Sequence, residues 1–96
     1  MIPGKTGRLS ESTVVAADTI KADADIVIAT GAVGINTIIP FGIGIGQCQL
    51  LILLTPVPVV LGTTGNIAVG LTTVANRPTI LAYVRSLGKW YLHSVV

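Results

Sequence analysis

From Ile26 through Asn76 the chain carries no charged residue. The charges lie on either side: Lys5, Arg8, Glu11, Asp18, Lys21, Asp23 and Asp25 before this stretch, Arg77, Arg85 and Lys89 after it. A chain of 96 residues makes one small domain. Such a domain has too much surface for its volume to hide most of its residues. Only 10% of the residues are charged, against about 25% in an ordinary soluble domain. Part of the surface is therefore expected to be covered, and partner subunits are the simplest cover.

A bilayer is the alternative cover. Phe41 to Leu61 has the length of a span, about 20 residues. It also holds Gly42, Gly44, Gly46, Gln47, Gln49, Pro56 and Pro58 among largely β-branched residues, which is poor helix material. No apolar core follows Lys5 and Arg8, as a secretory signal would require. No membrane partner is expected. Cys48 is the single cysteine, so no internal disulfide is possible and a reducing compartment fits. The net charge is only +2, no basic run or stripe is present, and one Trp, two Tyr and one Phe make no stacking platform. These features argue against nucleic acid as a partner.

The punctuation of the chain is that of β structure. Met1 to Ser12 reads as an extended arm, its composition fitting either a frayed terminus or a tail laid on a neighbouring subunit. Residues 13–96 read as a single β domain. Ser12 to Asp25 reads as turn or irregular strand. Asp25 to Thr30 is a β-branched strand ending at Gly31, and Asn36 to Ile39 a short one stopped by Pro40. Phe41 to Gly46 alternates Gly with apolar residues, as a Gly-rich strand or a closely packed loop would. Gln47 to Thr55 is the strongest strand, and its unbroken run Leu50 to Leu54 suggests burial on both faces. Thr63 to Asn66 is a turn, followed by a strand over Ile67 to Leu71. Thr79 to Arg85 and Lys89 to Val95 form a hairpin about Gly88. Short strands separated by frequent turns predict an all-β fold, a small antiparallel sandwich or barrel of jelly-roll-like kind.

No constellation carries catalysis or a cofactor. Pro3-Gly4-Lys5-Thr6 lacks the upstream glycine and strand of a phosphate loop. Gly42, Gly44 and Gly46 have the wrong spacing for a dinucleotide loop. Asp18, Asp23 and Asp25 do not match a calcium loop and read as solvated loop residues. His93 is the only histidine. Cys48, its one conceivable nucleophilic partner, falls in a strand that reads as buried, where thiols are inert. The chain is expected not to be an enzyme.

Thr64-Gly65-Asn66-Ile67-Ala68, Leu81-Ala82-Tyr83-Val84 and Gly88-Lys89-Trp90-Tyr91, preceded by the apolar strand Gln49 to Leu54, resemble small β-modules of tailed-bacteriophage structural proteins. Both capsid decoration (cement) proteins and fibre-type domains belong to this group. The resemblance covers Ile26 to Leu92. It implies a homotrimer packed about a three-fold axis and no catalytic residues. The chain has no long repetitive shaft, which favours decoration over fibre. The expected function is then that of a decoration protein on the outer surface of the virion, made in the bacterial cytoplasm, clamping the major capsid protein in the assembled shell. Ile2, Pro3, Lys5 and Arg8 are the expected capsid contacts. Leu51, Leu53, Trp90 and Tyr91 are the expected subunit-packing residues, with packing inside the chain the competing reading for the two aromatics. A trimeric fibre or appendage tip binding a receptor or glycan is the second reading, and a membrane hairpin the third.

Overall fold

The computed structural model describes residues 9–41 and 48–95. Among them there is no helix. The backbone runs through nine strands among these residues: β1 (Glu11–Val15), β2 (Thr19–Lys21), β3 (Ile26–Thr30), β4 (Thr37–Ile39), β5 (Cys48–Leu54), β6 (Val60–Leu61), β7 (Leu71–Thr72), β8 (Thr79–Val84) and β9 (Lys89–Val95). The all-β expectation holds. Glu11 and Ser12, expected at the end of an arm, begin β1 instead.

Five strands form one sheet in the order β1-β3-β5-β8-β9, while β2 pairs with β4 and β6 with β7. β1, β3 and β5 run parallel; β5, β8 and β9 alternate in direction. The sheet is mixed, which corrects the antiparallel expectation. Parallel neighbours need a crossover between them. Here short strands provide it. After β1 the chain passes to β2 and returns as β3; it then passes to β4, parallel to β2, and returns as β5. The N-terminal half is thus wound as a coil between two layers. Its steps are unequal: 15 residues from Glu11 to Ile26, 18 from Thr19 to Thr37, 26 from Ile26 to Ile52. A coil with unequal steps leaves no fixed period in the sequence.

Alternation along the strands sends Val27, Ala29, Leu51, Leu53, Leu81 and Trp90 to the inner face of the large sheet, where they share one core with Ile20, Ile38, Val59, Leu61 and Ile67 of the second layer. The radius of gyration is 12.4 Å, about what one compact domain of this length requires. Gln49 also turns inward. Its Nε2 donates to the Ala22 carbonyl at 3.1 Å and its Oε1 accepts the Phe41 N–H at 2.9 Å. Both ends of the amide are satisfied, so the core tolerates it.

The second layer is closed by Asn66. Its Oδ1 accepts the Ile38 N–H at 2.8 Å and its Nδ2 donates to the Ile38 carbonyl at 2.6 Å, as a neighbouring strand would. Its own carbonyl accepts the Trp90 N–H at 2.7 Å. The expected strand over Ile67 to Leu71 is therefore broken up: Ile67 forms an isolated bridge to Trp90, and pairing resumes only at Leu71. Gly65 sits so close to Asn36 and Thr37 that a Cβ would overlap the Asn36 carbonyl oxygen and the Thr37 hydroxyl. The hairpin of β8 and β9 forms as the alternation predicts, with Gly88 at φ 67° in its turn.

Candidate functional site

Among the described residues, strand register builds an extended surface out of apolar residues on the outer face of the large sheet. Reading across the strands, Ile26, Ile52 and Ile80 stand side by side on β3, β5 and β8. Ile28 stands beside Leu54, and Leu50 beside Ala82 and Tyr91. Cys48 stands beside Val84, which stands beside Lys89. Leu50 is 47% exposed, and Ile26, Ile28, Ile52, Leu54, Ile80 and Val84 are half-buried. Two shallow apolar hollows mark this face. Leu9, Asp25, Leu50, Ile52 and Ile80 line one, and Ile28, Leu54, Thr55, Pro56 and Asn76 the other.

The strand β5 explains the discrepancy with its sequence. Its run Leu50 to Leu54 suggests cover on both faces, yet the chain covers only Leu51 and Leu53. Leu50, Ile52 and Leu54 face outward. In an antiparallel sheet that meets water on one side, this face would alternate to polar residues. The expected subunit-packing residues divide the same way. Leu51, Leu53 and Trp90 have no exposed surface and pack inside their own chain, so their side chains are not available to a neighbour. Tyr91 is half-buried on the outer face. The expected capsid contacts Ile2, Pro3, Lys5 and Arg8 lie outside the described residues. The outward residues Ile26, Ile52 and Ile80 were not singled out from sequence. The signal that could have found them is the absence of polar alternation in three strands at once.

Charged side chains near the coil act as staples. The Ser10 backbone N–H and hydroxyl both donate to Asp25 Oδ2, at 3.0 and 3.2 Å. The Ser10 N–H, opposed by partial desolvation and aided by the hydroxyl, holds the Asp25 carboxyl below its ordinary value of 3.8. Ser12 donates to Asp23 Oδ1 at 2.8 Å, and Asn36 Nδ2 donates to Asp18 Oδ1 at 2.6 Å. The three aspartates thus hold three different joints. Among the described residues no three His, Cys, Asp or Glu side chains come together as a metal site.

Cys48 is exposed, not buried as its strand suggested, because it occupies the outward phase of β5. His93 lies four positions along β9 from Lys89, whose neighbour across β8 is Cys48. The register therefore separates thiol and imidazole. Among the described residues no helix is long and apolar enough to cross a membrane. Comparison of the chain with protein-family models, curated proteins and solved structures finds no match.

Proposed function

We propose that this chain is a non-enzymatic structural module that works within a larger protein assembly, and that the assembly is a tailed-phage capsid, which the module decorates and stabilises. The observation that carries the first part is the open apolar face centred on Ile52. A surface of that kind on a domain this small is a contact surface. The second part rests on the resemblance of the turn and strand residues around Gly65-Asn66, Leu81 to Val84 and Gly88 to Tyr91. Three of these, Gly65, Asn66 and Trp90, lie at the joint between the two layers.

In this reading the segment bearing Ile2, Pro3, Lys5 and Arg8 reaches the shell, and the partner is the major capsid protein. Trimers about a three-fold axis are the expected form. Each copy needs only an ordinary interface, about 800 Å² per partner, and many copies that bind only the assembled shell shift its stability by mass action.

The test is co-sedimentation of the purified protein with expanded, DNA-free shells of tailed phages and with their unassembled capsid subunits. Pelleting with shells alone supports decoration. Removing residues 1–8 should abolish pelleting while the β circular dichroism is kept. Failure to pellet with any shell, together with binding to host cells or polysaccharide, would replace decoration by the fibre-tip reading.

A further inference from the structure

We infer that the open face of the large sheet is covered by further copies of this same chain, with Glu11 of one copy against Lys89 of the next. This deepens the assembly reading above and rests on it. Among the described residues the strands of this face are apolar in its middle, with the acidic groups Glu11 and Asp25 toward the β1 side and the basic Lys89 on β9. Glu11 is exposed on β1 beside Ile26, at one edge of the sheet. Lys89 is exposed on β9 beside Val84, at the other. The signs are opposite, and no charged residue stands on the strands between them. A surface with one acidic and one basic edge is complementary to another copy of itself, and rotation closes such contacts into a ring or a pair.

The dimensions require the edges to take part. Strands lie about 4.8 Å apart and rise about 3.3 Å per residue. The apolar rows over β3, β5, β8 and β9 then span roughly 15 by 20 Å, a small patch against the 800 Å² or so that a stable partner covers. A copy seated on Leu50, Ile52 and Ile80 must therefore also engage the rim, where Glu11 and Lys89 stand roughly 20 Å apart. An unrelated partner would have no reason to match this spacing of opposite charges. A second copy matches it by construction.

The experiment is the mass of the full chain by size exclusion with light scattering over a range of concentrations, for the wild type and five variants. The wild type should run at two or three chain masses, three also supporting the trimer. Ile52→Asp should run as one chain with unchanged β circular dichroism. Leu50→Gln, at a more exposed position, repeats the test if Ile52→Asp fails to fold. Glu11→Lys and Lys89→Glu should each weaken association roughly tenfold, and the double variant Glu11→Lys/Lys89→Glu should restore most of it. A single-chain wild type at the highest concentration overturns self-pairing. So does association that ignores the face variants, or charge reversals that are not rescued by their combination. A single chain that still pellets with shells would overturn only this inference and leave the assembly function standing.

Discussion

The indole Nε1 of Trp90 donates to the backbone carbonyl of Ile38 at 2.8 Å, joining residues 52 positions apart. That carbonyl also accepts Asn66 Nδ2. One oxygen on β4 therefore ties the wound N-terminal half to the C-terminal hairpin. Tyr83 backs the indole, with ring centroids 5.1 Å apart and planes tilted by 55°. Trp90→Phe removes the donor but keeps most of the buried ring. It should cost about 1–3 kcal/mol. Asn66→Ala strips two bonds from the Ile38 backbone and leaves its N–H without the Oδ1 acceptor, and should cost about 2–3 kcal/mol. Urea denaturation followed by far-ultraviolet circular dichroism measures both.

Gly65→Ala should be among the most damaging single-methyl additions. The new Cβ meets backbone of Asn36, which cannot rotate away, as well as the Thr37 hydroxyl. A loss of about 2–4 kcal/mol is expected. Gly88→Ala meets nothing within 4 Å and is opposed only by its φ of 67°, so about 1 kcal/mol is expected. Thermal melts of the two variants should differ clearly, and equal melts would show that the Asn36 contact is absent.

Thr79 is fully buried, and its Oγ1 has no hydrogen-bond partner among the described residues. A buried hydroxyl without a partner costs desolvation and returns nothing. Thr79→Val keeps the shape and should leave stability unchanged or raise it by about 1 kcal/mol. A loss of stability on the same scale would mean that the hydroxyl has an acceptor.

Acidification should release the start of β1. The Asp25 carboxyl is held below its ordinary value of 3.8 by bonds that only its ionised form accepts fully. A depressed carboxylate contributes stability above the unfolded value and loses it as pH falls through the folded value. Amide exchange at Ser10, corrected for its intrinsic pH dependence, should therefore accelerate only below the ordinary carboxylate range. Asp25→Asn should show the fast exchange at neutral pH already. Equal protection of Ser10 in the variant at neutral pH would show that the carboxylate charge is not what holds this segment.

The hairpin of β8 and β9 was legible because its residues alternate and its turn is marked by Gly88, all within a few residues of each other. β3 and β4 were legible for the same reason: Ile26 to Thr30 ends at Gly31, and Thr37 to Ile39 stops at Pro40. The direction of the strands was not. Whether β3 lies parallel to β5 depends on how the chain crosses between layers, and the crossings through β2 and β4 are three residues long with no period to announce them. Nor was the phase of β5. A glutamine is costly to bury, yet Gln49 faces inward and bonds the Ala22 carbonyl and the Phe41 N–H. No local pattern shows a bond made 27 residues away. Leu51 and Leu53, expected at a subunit contact, face the core instead, and Leu50, Ile52 and Leu54 face outward.

The winding of the first half also sets the order in which the chain can protect itself during synthesis. β5 is the most apolar strand, and β3 pairs with only one of its edges, through Ile26 to Ile28. Its other edge waits for β8, and the inner layer stays unsealed until Trp90 arrives to reach Ile38. As the chain leaves the ribosome, its stickiest segment therefore emerges long before the hairpin that guards it. Between the making of Leu54 and that of Trp90, nascent chains of this protein are exposed to mispairing with one another, and β8 and β9 decide whether they escape it.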